Sequence, residues 1–372
     1  MKKTVLIPLV SGIVVVAGIV SLYTQVWNPS WNPFVNPDEV LSEALEKMVD
    51  LKTYSQKAEI SGSASGFEGL DNISFSFSIK TDTDVDLTLP ENPKSSGDLQ
   101  MDISFAGIPE QQLTPQITPF VTGGKLTLFL EAQMKQIGEE SYFKMKTIPF
   151  YPFLNMQFAL LGINLSEIKD NWIKIDPEAI SQWTGVKYEG IDQEQTKKLQ
   201  EDFKNILKEK KLMTIKKVLK NEKIDDVMCY HYLLSVEQNE LKEVILETFN
   251  MFSKEYLAAE ITPPEEALEE FYKEFDKMWE KLGGIEFEIW IGKKDKFIRL
   301  INLEKEIDLE KFAGEDKKIS GKVNIKLTIG YSNLNQAILI TAPLEYKNLE
   351  KILEPLLMKL MEFQTMQSIP TQ

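Results

Sequence analysis

The chain has 372 residues, 42 of them basic and 57 acidic, for a formal net charge of −15. That balance repels nucleic acid over most of the surface, and no Arg/Lys patch with interleaved aromatics interrupts it, so nucleic-acid binding is set aside. A single cysteine, Cys229, permits no internal disulfide, so stability has to come from a buried core.

Lys2 and Lys3 are the only charges before Asp38. Between them, Thr4–Tyr23 offers about 20 uncharged residues, enough to span a ~30 Å hydrocarbon core. This predicts one transmembrane helix or uncleaved signal at 4–23, with a cytoplasmic stub at 1–3 and the rest outside the cytoplasm. Tyr23, Trp27 and Trp31 fit the interfacial belt. A cleaved signal peptide is the alternative, although the run is long for one and Val20–Thr24 lacks a small-x-small site. A lipid anchor would need a cysteine just after the run, where there is none. Three Asn-Pro units within Trp27–Pro37 make 24–37 a short, stiff spacer before an extracytoplasmic domain at 38–372.

The next element is a helix over Asp38–Leu51, with Val40, Leu41, Ala44, Leu45, Met48 and Leu51 on one face and acids in its first turn. The period then changes to two. Ile73–Leu89 alternates apolar and polar residues, and the stretches around Asp98–Gly107, Lys125–Ala132 and Ser141–Lys146 continue the pattern. Helical or irregular chain follows at Pro149–Gly162, then a short strand over Asn171–Asp176. A charged helix is expected over Gln195–Lys211. A strand pair comes next around the acidic turn before Val227–Val236, then a helix near Glu240–Leu257 and another running from Glu265 to Gly283–Gly284. Three strands, a strand-like Ala337–Pro343 and a helix near Leu349–Phe363 complete the series. Strands following one another without helical crossovers must pair antiparallel. The expected fold class is therefore α+β: one large, strongly curved antiparallel β-sheet with helices on its concave face, preceded by the N-terminal membrane helix. Two separate sheets, at about 53–148 and 212–342, are the alternative.

No catalytic constellation emerges, and no metal or cofactor is expected. The single histidine, His231, shares a sheet face with neither flanking tyrosine, and an interstrand or surface hydrogen-bonding role suits it best. Cys229 reads as a small buried residue. Asp82, Asp84 and Asp86 share one strand face but lack the glycine and closing glutamate of a calcium loop, so solvent exposure is expected there, with a weak cation site second. Glu265–Glu270 follows two prolines, where a helix start favours acids. The unusual feature is soft apolar material: Met145, Phe150, Tyr151, Phe153, Leu154, Met156, Phe158, Leu160 and Leu161 crowd one short segment. Either it plugs the sheet, or it lines a groove for an apolar ligand. Phe249, Met251, Phe252, Tyr256 and Leu257 form a second candidate lining.

Four stretches carry a resemblance to a known family: Asn36–Ser55 entering the first strand, Val227–Val236, Ile285–Ile301 and Lys326–Pro343. Together the pattern resembles the extracytoplasmic LppX/LprG-type lipoproteins and, more distantly, the LolA/LolB lipoprotein chaperones. The resemblance implies a LolA-like half-barrel enclosing an apolar cavity for acyl chains or lipidated partners, and a non-enzymatic role in lipid or lipoprotein handling in the bacterial cell envelope. The family's lipidated cysteine is absent here, and the chain is longer around residues 92–120 and 240–282. A cell-surface interaction or scaffold protein with a filled core is the alternative function, and an envelope enzyme of unknown class the third.

Overall fold

The stripe Val40, Leu41, Ala44, Leu45 and Met48 forms helix α1 (Pro37–Val49) in the computed structural model of the chain, with all five residues buried. Asn36 caps it by accepting the Asp38 amide at 3.1 Å, and Pro37 occupies the first turn, where its missing N–H costs nothing. The structure describes residues 36–66, 73–89, 91–108, 120–160, 162–176, 198, 202, 205–206, 210–256, 265–312 and 321–355. The expected membrane segment 4–23, the spacer before Asn36 and most of the expected helix Gln195–Lys211 lie outside those residues.

The chain divides into two units. The first takes Met1–Leu51 and Ile191–Leu334. Its strands are β8 (Met213–Val218), β9 (Glu222–Ile224), β10 (Val227–Val236), β11 (Glu286–Gly292), β12 (Ile298–Asp308) and β13 (Lys322–Ser332). They pair antiparallel in the order β13-β12-β11-β10-β8, with β9 also on β10. The register aligns Tyr232, Ile289, Ile301 and Ile329 in one row across four strands, and all four are at most 2% exposed. α1 packs over β8, β11 and β12. Helices α3 (Gln238–Tyr256) and α4 (Glu265–Leu282) pack on each other. Lys242 pins that pair: its Nζ donates to Asp276 at 2.5 Å and lies over the rings of Tyr272 and Phe275, at 5.3 and 5.7 Å. That hydrogen bond holds the Asp276 carboxyl below the usual carboxylate range. Gly283 at φ +70° ends α4, its amide donating to the Trp279 carbonyl.

The second unit, Lys52–Gly190 and Asn335–Gln372, is built on long strands. These are β1 (Thr53–Ser65), β2 (Ser74–Asp86), β3 (Lys94–Ala106) and β5 (Lys125–Ile137), of 13 residues each. Shorter β4 (Val121–Thr122), β6 (Glu140–Thr147), β7 (Ile173–Ile175) and β14 (Lys347–Asn348) join them in the order β14-β7-β6-β5-β3-β2-β1, with β4 on β5. Alternation sorts the faces. Phe75, Phe77 and Ile79 stand opposite Phe105, Ile103 and Met101, which stand opposite Leu126, Leu128 and Leu130. Phe75 and Phe105 meet at 5.1 Å between ring centroids. Helix α2 (Tyr151–Leu160) follows β6.

Two expectations are corrected. The strands do not form a strongly curved antiparallel half-barrel with helices on a concave face. Their order is open, neither closed nor strongly curled, and the sheet is mixed because β7 and β14 run parallel. Alternation fixes which face is apolar; closure depends on pairing between distant strands, which it does not encode. The second correction concerns the membrane. Among the described residues no helix is long and apolar enough to cross one. α3 and α4 carry charges along their length, and α2, though apolar, has 10 residues and reaches only about 15 Å. No described helix therefore supplies the transmembrane anchor, the membrane partner or the single-pass extracytoplasmic localisation expected from the sequence, and residues 4–23, on which they rested, lie outside the described residues. A smaller difference is Ala337–Pro343, expected to be strand-like, which belongs to no strand or helix.

Ile289 sits inside the four-strand row, so Ile289→Ala should lower stability by about 2–5 kcal/mol, read as a lower urea midpoint. In the second unit, burial and a hydrogen bond to Glu140 push the Tyr142 hydroxyl up to about 12 from its ordinary 10.0. The folded state thus favours the neutral phenol. The stability this brings is complete below about pH 10 and is lost as pH rises towards about 12. Urea unfolding across that window should show a smaller alkaline loss for Tyr142→Phe than for the native chain.

Candidate functional site

The chain from Thr147 to Ser166 carries no charged residue, and α2 sits at its centre. Pro152 suits the first helical turn. At the far end Gly162, at φ +86°, closes the helix: the Ile163 amide donates to the Phe158 carbonyl at 2.9 Å and the Gly162 amide to Ala159 at 3.0 Å. At the near end Phe150 has φ +53°, a region bulky side chains rarely adopt. That turn carries its ring onto Phe120, at 4.3 Å between centroids.

One side of α2 meets a buried cluster of Ile163, Leu165, Ile173 and Ile352, against which Tyr151, Leu154 and Phe158 pack half-buried. Asn155 adds the polar tie, its Oδ1 accepting the Leu165 amide at 3.1 Å. Lys169 Nζ lies 6.0 Å above the Tyr151 ring. The other side of the helix is open. Met156 is 56% exposed and Leu160 70%, and no residue of α2 is fully buried. A helix apolar all round is normally buried all round. This one is not.

Of the residues singled out from the sequence, Tyr151, Leu154, Met156 and Phe158 share this helix, and Phe153 joins through Phe120, at 6.2 Å between ring centroids. Met145 is half-buried on β6, two residues from Phe143 and on the same face, and Phe143 packs on the cluster. Leu161 lies outside the described residues. Phe249 is half exposed on α3, in the first unit; Phe252 and Tyr256 lie on the same helix, their side chains outside the description. Sequence reasoning missed Phe120, Asn155 and the four cluster residues. Ile173 was legible as the inward position of a short strand, whereas nothing local marks Ile352, far along the chain, as its neighbour.

The titratable groups are held by internal contacts. His231 is buried, 8% exposed at its side chain, and stacks on Trp290 with ring centroids 4.1 Å apart. Its Nε2 lies 3.4 Å from Glu288 and its Nδ1 3.9 Å from Glu222, which also accepts the Trp290 indole N–H at 3.0 Å. The 3.4 Å contact lacks hydrogen-bond geometry, and it counts as an ion pair only when the imidazole is protonated. Burial pushes the Cys229 thiol up, which makes it a poor nucleophile. Asp82 pairs with Lys57 at 3.2 Å, Asp84 accepts from Ser55 at 2.5 Å and Asp86 from Thr88 at 2.6 Å. The Thr88 hydrogen bonds hold the Asp86 carboxyl low. Among the described residues no three His, Cys, Asp or Glu side chains converge to hold a metal.

No protein-family model matches the chain, and no curated protein matches it. Among solved structures, the Mycobacterium tuberculosis lipoprotein LppX is similar at 10% identity and a TM-score of 0.29, over 81% of this chain and 96% of that one. This is a distant structural likeness to the LppX-type lipoprotein fold, and at that score it carries no functional inference.

If the two sides of α2 differ as described, Phe158→Ala should lower stability by about 2 kcal/mol. Leu160→Gln should change it by no more than about 0.5 kcal/mol. Paired urea titrations measure both.

Proposed function

We propose that this chain is a non-enzymatic binding protein for a lipid or another long apolar ligand, held against α2 in the second unit. The observation that carries the reading is the ten-residue helix with no charge and no fully buried residue. A contiguous exposed apolar surface often marks a site of ligand or partner binding, and a lipid guest would cover this one. Each methylene that a ligand buries there contributes about 0.8 kcal/mol, so about ten of them supply roughly 8 kcal/mol before ordering costs. That energy needs a dry apolar surface and no reacting group. Met156 and the neighbouring aromatics suit an irregular guest, because thioether side chains adapt their shape. Lipid or lipoprotein handling is the role this reading supports.

For the first unit, a specific observation favours the other reading, a scaffold with a filled core. The row Tyr232, Ile289, Ile301 and Ile329 is sealed, and α1 packs five buried side chains against the same unit. We place ligand binding in the second unit only.

The test is native mass spectrometry of the full chain with palmitoyl lysophosphatidylcholine below its micelle concentration. One bound lysolipid per chain is expected, with affinity at least about tenfold lower in Leu160→Lys, because a buried charge is costly. No adduct in the native chain, or equal binding by both proteins, would overturn the reading.

A further inference from the structure

We propose that α2 is a hinged lid over the cluster Ile163, Leu165, Ile173 and Ile352, latched by Asn155 and swinging on Phe150 and Gly162. The inference rests on the ligand reading above and adds how that site opens.

Three independent features point to it. Both ends of the helix turn in left-handed backbone, Phe150 at φ +53° and Gly162 at φ +86°. A glycine adopts that conformation freely, while a phenylalanine held there marks a junction that its surroundings constrain. The second feature is the seat: Tyr151, Leu154 and Phe158 pack on the cluster, yet none of them is fully buried. The third is the tie. The Asn155 carboxamide accepts the Leu165 amide at 3.1 Å, joining the middle of the helix to the cluster's own backbone. Rigid-body movement would break this bond and leave the bonds within the helix intact.

The cluster on which α2 packs includes Ile173, at 0% exposure. An acyl chain lying along the exposed side of α2 could extend onto the cluster only while the helix is lifted. Because only the open form offers that added surface, the observed affinity rises with the open fraction, and weakening the latch tightens binding.

The experiment places a single reporter cysteine in the full chain, with Cys229 replaced by alanine. Ile173→Cys reports the space under the lid. Ala132→Cys, on β5 and 5% exposed, reports opening of the sheet. Leu165→Cys serves as a second lid reporter if Ile173→Cys fails to fold. Labelling with a thiol reagent should be at least about tenfold faster at Ile173→Cys than at Ala132→Cys. Adding Asn155→Ala should raise the lid reporter's rate a further three- to tenfold, roughly the worth of one hydrogen bond, and leave Ala132→Cys unchanged. Asn155→Asp, which keeps the acceptor, should restore the slow rate. Equal rates at the two reporters, or indifference to Asn155→Ala, would overturn the lid. Complex formation with palmitoyl lysophosphatidylcholine separates the two claims. A lysolipid complex with a lid reporter as slow as Ala132→Cys removes the lid and leaves ligand binding. Fast, latch-dependent labelling with no complex keeps the lid and removes the ligand reading.

Discussion

Both units depend on strict apolar alternation meeting an antiparallel neighbour in register. In the first unit that meeting produces the sealed row of Tyr232, Ile289, Ile301 and Ile329, on which a covering helix can settle. A one-residue slip of any strand would turn its isoleucines to the opposite face, so the row fixes register as well as stability. The second unit uses the same device on longer strands and finishes it differently. Phe75, Phe105 and Leu126 align from β2 to β5, yet none of the three is fully buried. Its sealed apolar cluster lies beside α2 instead.

That contrast is where function enters. The first unit spends its apolar side chains on itself. The second holds a charge-free helix that is half covered, tied by one carboxamide and flanked by two left-handed residues. The polar groups that draw attention in the sequence turn out to serve the architecture. His231 lies flat on Trp290, with Glu222 and Glu288 beside it. Lys242 neutralises Asp276 between two aromatic rings, and the three aspartates of β2 answer to Lys57, Ser55 and Thr88.

Much of the local structure was legible because it is written locally. The alternation of Ile73–Leu89 became β2, Pro37 and the acids after it opened α1, and Gly283–Gly284 ended α4. What failed depends on distant partners. The parallel pair β7–β14 joins residues 173–174 to 347–348, and no periodicity announces such a return. Ala337–Pro343 has strand composition, but it finds no ladder partner among the described residues and leaves Leu339 90% exposed. The apolar helix was visible as composition, with its landmark residues named. Its exposed side was not, because exposure depends on the cluster residues that arrive from elsewhere, Ile352 above all.

The most direct test of the central claim is an intermolecular contact at the exposed side of α2. With methyl-labelled methionine, the Met156 resonance can be assigned by its loss in Met156→Leu. At saturating palmitoyl lysophosphatidylcholine, the Met156 methyl should show nuclear Overhauser contacts to acyl-chain methylenes. Saturation without any such contact, or contacts confined to methionines of the first unit, would contradict the account.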